Sequence, residues 1–318
     1  MAMEAKLSQT YDGLFTVGCG GVTDITAPAD GRSQFVTFDS GKTLVTLPNS
    51  NVPVYYPLTT HPFQAPAKAI LMDLDGTSVK SESFWIWIIE QVVCRCKKDD
   101  TFRLSEEDIP FVSGFSVSEH LKYCIDKYQL SETLEEARAH YFDIVRHEMR
   151  EIMEGRGKED AYEVADGLKE FLLTVKAHGI KIGLVTSGLY EKAMPEIISG
   201  FRQINKEGQS LGDPLDFYDA VITAGTAYGK GQAGTLGELC AKPHPWLYRE
   251  TCEVGLGIHE EDFSHVIVLE DSSAGVLAGR LAGFDVIGVA GGNIQAAGLD
   301  HMTYKMADSL NEVLKYIL

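Results

Sequence analysis

Two aspartates, Asp73 and Asp75, end an apolar run of strand length at residues 69–72 and are followed by Gly76 and Thr77. Alternate residues of a strand point to the same face, so both carboxylates are expected on one side of the strand end. Two acids held close together repel each other unless a cation lies between them, and Mg²⁺ prefers oxygen ligands. An ordinary acidic turn has the same pattern, because Asp-Gly is a common turn dipeptide. On its own, the pattern leaves both interpretations open.

Polar side chains also stand at three later strand or loop ends. Thr186 and Ser187 close an apolar run before a predicted helix, where a hydroxyl and free backbone amides can cradle a phosphate. Lys242 lies in a proline-containing loop before another helix and can supply a positive charge to a phosphoryl oxygen. Glu270 and Asp271 end a buried strand in two acids. Each feature has a simpler explanation when it is taken alone: a helix cap at Thr186 and Ser187, a solvated surface lysine at Lys242, and an acid that caps the following helix at Asp271. These explanations do not account for the occurrence of all the features in this order.

The pattern of apolar residues divides the chain into three predicted parts. Residues 1–66 contain short alternating runs that predict a β-hairpin, followed by a proline-rich linker. Residues 81–163 are predicted to be mostly helical. Residues 67–80 and 164–318 alternate strands with helices, which predicts a parallel sheet covered on both faces. Ligands of such sheets bind at the carboxyl ends of the strands, where the polar residues above are found.

The ordered set of strand and loop ends resembles the four motifs of the haloacid dehalogenase-like (HAD) hydrolase superfamily. The helical segment after the first motif looks like the α-helical cap of the branch that holds phosphoglycolate phosphatase and β-phosphoglucomutase. The predicted fold is therefore α/β, with a Rossmann-like parallel-sheet HAD core, an inserted α-helical cap and an N-terminal β-rich extension. The matching positions are, in chain order, Asp73 to Thr77, Thr186, Lys242 in Lys-Pro-His-Pro, and Glu270 to Gly275.

The resemblance implies a phosphoric monoester hydrolase that forms an aspartyl phosphate. It assigns Asp73 as the nucleophile and Asp75 as the general acid and then the general base. It also implies that Mg²⁺ is held by the Asp73 carboxylate, the backbone carbonyl of Asp75 and Asp271. Glu270 is expected either to bind the ion directly or to lie just behind the ligands.

The resemblance likewise implies a set of phosphate-binding groups. Thr186 and Lys242 are expected to neutralise and orient the non-bridging phosphoryl oxygens during catalysis. Backbone amides near Leu74 and Ser187 are expected to assist them. Positioning and charge stabilisation account for most phosphoryl-transfer catalysis, and these groups supply both.

Substrate contacts are also predicted from the helical segment. Lys80 stands where family members commonly carry the aspartate of an Asp-Ser-Glu sequence. It is therefore a candidate contact for an acidic substrate. A solvated lysine at the hinge is the simpler interpretation. The stretch from Gly114 to His120 resembles the loop and helix start that face the pocket. His120 and Lys122 are therefore further candidate substrate contacts.

Composition limits the partners of the chain. The 318 residues carry 46 acids and 28 bases, a net charge of −18, which argues against nucleic acid as a partner. No apolar run approaches the ~20 residues of a membrane span, and the start lacks the apolar core of a secretory signal. Six cysteines in a chain of this length predict reduced thiols. We expect a cytoplasmic protein that binds a small phosphorylated metabolite and can form a homo-oligomer through its N-terminal extension.

Three functions fit these expectations. The first is a Mg²⁺-dependent phosphatase for a small phosphorylated metabolite such as a sugar phosphate. The second is a phosphomutase of the β-phosphoglucomutase type, and the third is a non-catalytic binding or assembly module that works through its N-terminal extension. A dehalogenase is disfavoured, because that chemistry does not use the second aspartate, present here as Asp75. The intact set of catalytic positions favours the phosphatase.

Overall fold

Two compact units make up the chain. The larger consists of Met1–Ser78, Ala165–Tyr190 and Gly212–Leu318, and the smaller consists of Val79–Val164 and Glu191–Leu211. A computed structural model describes residues 5–48, 54–109, 117–158, 161–206, 208–224 and 240–318.

The N-terminal part of the larger unit is a five-stranded antiparallel sheet, here called the N-terminal sheet. Its strands follow one another across the sheet in chain order. The predicted hairpin around residues 39–42 is confirmed, because its two strands pair with Thr37 opposite Thr43. The hairpin is extended on both sides, so the β-rich extension is a complete small sheet. Its strands are β1 (Ala5–Lys6), β2 (Val22–Ala27), β3 (Gln34–Phe38), β4 (Thr43–Thr46) and β5 (Tyr55–Pro57).

A six-stranded parallel sheet forms the centre of the larger unit. The remaining strands of the chain are β6 (Ala69–Asp73), β7 (Val79–Lys80), β8 (Glu163–Val164), β9 (Lys181–Thr186), β10 (Ala220–Thr223), β11 (Val266–Glu270), β12 (Asp285–Val289) and β13 (Lys305–Ala307). The order across the parallel sheet is β10-β9-β6-β11-β12-β13, so β6 lies in its interior. Every residue of β6, β11 and β12 is buried, as expected for strands with both faces covered. The predicted α/β core is confirmed.

Helices cover the parallel sheet and build the smaller unit. The prediction that residues 81–163 are mostly helical is confirmed, for the described part of this segment, by the first three α-helices. Short helices of other types are found at Thr251–Gly255, Glu260–His265 and Asp300–Met302. The α-helices are α1 (Glu82–Lys97), α2 (Val117–Tyr128), α3 (Leu134–Met153), α4 (Leu168–Ala177), α5 (Tyr190–Ile204), α6 (Pro214–Phe217), α7 (Trp246–Glu250), α8 (Ser273–Leu281), α9 (Ile294–Ala297) and α10 (Leu310–Ile317).

The smaller unit consists mainly of helices α1, α2, α3 and most of α5, with β7 and β8 as a short antiparallel pair. Residues 191–211 lie in this unit, although the sequence grouped them with the core. The start of α3 shows why a helix forms there, because Thr133 and Glu136 make a reciprocal capping box. Among the described residues, no helix combines the length and the apolar character needed to cross a membrane.

The N-terminal sheet packs on the core of its own chain. Val45 and Leu47, from and just after β4, are buried in the same apolar cluster as Leu247 and Tyr248 of α7. Removing such side chains from water is worth roughly 1.5–3 kcal/mol each. The sheet is therefore an integral layer of the larger unit.

The smaller unit contains a buried acid that the sequence did not single out. Asp108 is fully buried, and its carboxylate accepts hydrogen bonds from Tyr123 at 2.8 Å and Tyr128 at 2.6 Å. The Lys127 ammonium and the backbone amide and hydroxyl of Ser105 also donate to it. Burial alone would raise the pKa of Asp108, but these hydrogen bonds hold it well below its usual range. The ionised form is therefore the one that stabilises the unit.

Replacing this acid is expected to destabilise the protein. Asp108→Asn should lower the free energy of unfolding by about 3 kcal/mol at pH 7, because several donors lose the buried charged acceptor that they share. The stabilisation is complete well above the unfolded-state pKa of about 3.9 and is lost as the pH falls towards the lower folded-state pKa. Denaturant titrations should therefore show a gap between wild type and variant that narrows below about pH 4. The exposed Asp126→Asn is the control, and an equal effect of both variants would contradict the prediction.

Candidate active site

Three neighbouring strands bring the predicted residues to one edge of the parallel sheet. Asp73 is in register with Val185 of β9, so Thr186 lies one position beyond it on that side. On the other side, β11 pairs with β6 in the register that places Glu270 next to Asp73. The carboxyl ends of these strands therefore gather residues that are far apart in the sequence.

Three carboxylates meet at this edge. Asp73, Glu270 and Asp271 each place a carboxylate oxygen within 4.8 Å of the others. Burial, together with the charge of Glu270, raises the pKa of Asp73 well above its ordinary value. The same two causes raise the pKa of Asp271 to about 7. The part of each shift that comes from crowded negative charge would be relieved by a bound cation.

Lys242 supplies the positive charge next to the carboxylates. Its side chain is only 5% exposed, and its ammonium donates to the Asp73 carboxylate and, at 2.6 Å, to Oε1 of Glu270. Burial disfavours the charged form, but the two carboxylates outweigh it and raise the pKa of Lys242 above its ordinary value. With all three carboxylates ionised, as a bound cation would favour, one ammonium would leave an excess of two negative charges. This excess matches a divalent cation in sign and size.

Glu270 is held by groups that the sequence did not identify. Tyr248 donates to its Oε1 at 2.5 Å, and the hydroxyl and amide of Ser272 donate to its Oε2 at 3.0 and 3.2 Å. A Cβ on residue 275 would lie 1.8 Å from this carboxylate, so Gly275 makes room for it. With both oxygens engaged, Glu270 is placed to orient Lys242. No local sequence signal marks Tyr248, because its role depends on a contact with a distant strand.

Asp271 packs against the turn that follows Asp73. Gly76 has a φ of +87°, which favours glycine, and a Cβ there would lie 2.1 Å from Oδ2 of Asp271. Gly76 is therefore required for two reasons, the positive φ of the turn and the close approach of the Asp271 carboxylate. Any larger residue at position 76 would displace the acid from the carboxylate cluster.

The turn after β6 carries the second predicted aspartate. Asp75 is half-buried there, between buried Leu74 and Gly76, and its side chain is not one of the three clustered carboxylates. Its predicted roles, in which the backbone carbonyl binds metal and the carboxylate moves a proton, stay predictions. The hydroxyl of Ser78 donates to the backbone oxygen of Asp73 at 2.6 Å and closes the turn.

Thr186 and Ser187 lie at the end of β9. The buried Thr186 hydroxyl accepts from the Gly188 amide at 2.9 Å, so it also caps its own turn, as the simpler interpretation had it. Ser187 is exposed, and its hydroxyl accepts from the backbone amide of Lys242 at 3.0 Å. The second and third motif loops are therefore joined by a direct hydrogen bond.

The predicted substrate contacts Lys80, His120 and Lys122 belong to the smaller unit. Lys80 and Lys122 are exposed, whereas His120 is buried and its burial lowers its pKa. Their contact with substrate stays a prediction. Part of the stretch expected to face the pocket, residues 114–116, lies outside the described residues.

Solved structures similar to this chain share its α/β fold. A Thermotoga maritima protein assigned as a β-phosphoglucomutase matches with a TM-score of 0.57 and 20% identity, covering 79% of this chain and 100% of its own. A Haemophilus somnus 129PT protein assigned as a phosphoglycolate phosphatase matches with a TM-score of 0.55 and 17% identity over 80% and 100% of the two chains. A subfamily IA HAD hydrolase from Geobacter sulfurreducens PCA has a TM-score of 0.54 and 16% identity over 80% and 99%. At these identities the comparisons establish the fold.

The family is established by the sequence match itself. The family model of haloacid dehalogenase-like hydrolases matches residues 67–283. That segment is more than half of the 318-residue chain and contains all four motifs identified from the sequence. It also contains every side chain of the carboxylate cluster and the lysine that neutralises part of its charge. The chain belongs to the haloacid dehalogenase-like hydrolase family.

Proposed function

We propose that this hydrolase is a Mg²⁺-dependent phosphatase that acts on a small phosphorylated metabolite, such as a sugar phosphate, through an aspartyl phosphate on Asp73. The observation that carries the proposal is the buried contact of Asp73 with Lys242 inside a cluster of three carboxylates. The proposal is supported because a carboxylate that could attack phosphorus, a positive charge and carboxylates that could bind a metal lie together at this edge of the sheet.

The residues at this edge fit a magnesium ion. Asp73 and Asp271 would hold it through carboxylate oxygens, and Asp75 would add its backbone carbonyl, since Mg²⁺ prefers oxygen ligands. Glu270 would stand behind them, because its oxygens already accept from Lys242, Tyr248 and Ser272. When bound, the ion would offset the excess negative charge and polarise a phosphoryl oxygen.

The first chemical step would use Asp73 and Asp75. An oxygen of the Asp73 carboxylate attacks phosphorus, and the bond from phosphorus to the substrate oxygen breaks with its electron pair leaving on that oxygen. Asp75 gives the leaving oxygen a proton. In the second step Asp75 takes a proton from water, which attacks phosphorus and releases the Asp73 carboxylate and inorganic phosphate.

Lys242 and Thr186 would stabilise the transferring group. The Lys242 ammonium already contacts the nucleophilic carboxylate, so it lies within reach of phosphoryl oxygens bound there. Thr186 ends the strand next to Asp73 and can donate its hydroxyl hydrogen, with backbone amides near Leu74 and Ser187. Fixed donors of this kind cost no reorganisation during the reaction, which is why they lower its barrier.

Metal removal is the direct test of the proposal. Phosphate release from a panel of phosphorylated metabolites should require MgCl₂, fall to background with EDTA and return when Mg²⁺ is added in excess. Calcium, which prefers longer bonds and more ligands, serves as the matched divalent control and should support less release. Equal release with EDTA, or no release from any compound with Mg²⁺, would contradict the proposal.

A phosphomutase remains the second candidate, since one structure of similar fold is assigned as a β-phosphoglucomutase. The two functions differ in what accepts the phosphoryl group from Asp73, a sugar hydroxyl or water. Incubation with a hexose 1-phosphate would give the 6-phosphate and a bisphosphorylated sugar in a mutase, and inorganic phosphate in a phosphatase. Product analysis by ³¹P NMR separates them.

A further inference from the structure

We propose that the N-terminal sheet is part of the catalytic apparatus, because Tyr56 on β5 positions Lys242 through His244. This inference rests on the proposed function, in which Lys242 contacts the transferring phosphoryl group. Tyr56 is a positioning residue, since it touches the loop that carries the lysine.

The contact between Tyr56 and the lysine loop is both polar and aromatic. The Tyr56 hydroxyl and Nδ1 of His244 are hydrogen-bonded at 2.8 Å. The Tyr56 ring also meets the rings of His244 and Trp246 edge to face, with centroids 5.9 and 6.1 Å apart. Edge-to-face pairs are worth about 0.5–1.5 kcal/mol beyond the area that they bury. A single side chain of the N-terminal sheet thus contacts one residue of the loop and the first residue of α7.

The loop transmits this contact to Lys242 over a short, stiff distance. His244 is two residues from the lysine and stands between Pro243 and Pro245, whose rings fix their backbone φ angles. The His244 amide donates to the backbone oxygen of Ala241 at 3.1 Å, which closes a turn around the lysine. Helix α7 begins only at Trp246, so this part of the loop has no regular structure of its own. Fixing the histidine ring therefore limits where the lysine ammonium can lie.

The same sheet also reaches the loop that carries the other acids. Oδ2 of Asp30, between β2 and β3, accepts from the hydroxyl of Ser273 at 3.0 Å. Ser273 is the first residue of α8 and follows the Glu270–Asp271 pair by two positions. The N-terminal sheet thus contacts both loops that flank Asp73, and its buried Val45 and Leu47 anchor it to the core. These contacts give it a fixed position from which to act on the lysine loop.

The chain offers a matched pair of substitutions for the test. Tyr56→Phe removes the hydroxyl that meets His244 and keeps the ring. Tyr55→Phe removes the neighbouring hydroxyl of β5, which donates to Asp12 at 2.8 Å. With the best substrate of the metabolite panel and MgCl₂, Tyr56→Phe is expected to lower kcat about 10-fold, with KM changed less than about twofold. Tyr55→Phe should leave both constants within about twofold of wild type, and both variants should keep the wild-type melting temperature.

A second background separates positioning from general support of the fold. In Lys242→Met, the Tyr56→Phe change should have almost no further effect on kcat, because its route to the substrate is gone. An unchanged kcat in Tyr56→Phe, equal effects of the two tyrosine variants, or the same fold-loss in both backgrounds would each overturn the inference. If Lys242→Met itself keeps wild-type activity, the proposed function fails instead, which is a distinct result.

Discussion

Asp73→Asn is expected to reduce phosphate release by about 10⁴-fold or more, because an amide oxygen is a poor nucleophile for phosphorus. The substitution keeps the size of a side chain that is buried at the end of β6. It also keeps an oxygen that can accept from Lys242. The loss should therefore appear in kcat, while the protein stays folded.

Trapping the intermediate makes this prediction specific. Rapid acid quenching and peptide mass spectrometry should find a phosphorylated peptide containing residue 73 in wild type and none in Asp73→Asn. The exposed Asp126→Asn is the control and should retain the intermediate. Phosphate release that survives Asp73→Asn would show that another group is the nucleophile and that the assignment of this site is wrong.

Lys242→Met should lower kcat/KM by about 10³-fold, since fixed positive charge in a buried site is worth several kcal/mol to a charged transition state. Methionine has a similar length but no charge, so the excess of negative charge around Asp73 would increase. We expect the variant to turn over slowly but to need no higher Mg²⁺ concentration, because the added negative charge attracts the cation more strongly. Steady-state kinetics over a magnesium titration measures both effects.

A second lysine provides the control for this prediction. Lys68 also pairs with an acid, Asp262, at 2.5 Å, but its side chain is 54% exposed and the pair lies on the surface. Lys68→Met should leave kcat/KM within about twofold of wild type, as exposed ion pairs contribute little. Similar losses in both lysine variants would mean that charge in general, and not the Lys242 contact, supports activity. Circular dichroism spectra would exclude unfolding as the cause.

The site residues could be predicted because they share one position in the architecture. Each follows a buried strand or precedes a helix, and parallel strands bring their carboxyl ends to one edge. Asp73, Thr186 and Glu270 can therefore be recognised in the sequence, because each is a polar residue at the end of an apolar run. Their contacts in the structure follow from that rule.

Residues that act through distant contacts gave no such signal. Tyr248, Tyr56 and Asp30 are ordinary side chains in their own segments, and their roles exist only because remote parts of the chain meet. Similarly, β1 and β5 are too short to show the alternation of apolar and polar residues that marks a strand. Only the central hairpin of the N-terminal sheet was therefore predicted. The sequence also grouped α5 with the core, whereas most of it lies in the smaller unit. An amphipathic pattern shows that one face of a helix is buried, but it does not show which part of the chain covers that face.

The interior place of β6 in the sheet affects when the site can form. Asp73 is synthesised long before Lys242 and Asp271, and β6 acquires its second neighbour only when residues 266–270 of β11 are available to pair. A nascent chain that stops short of this strand has Asp73 without Glu270 and Asp271, the other two carboxylates of the cluster. Such chains are therefore expected to be inactive, and the appearance of activity would report that β11 has paired with β6.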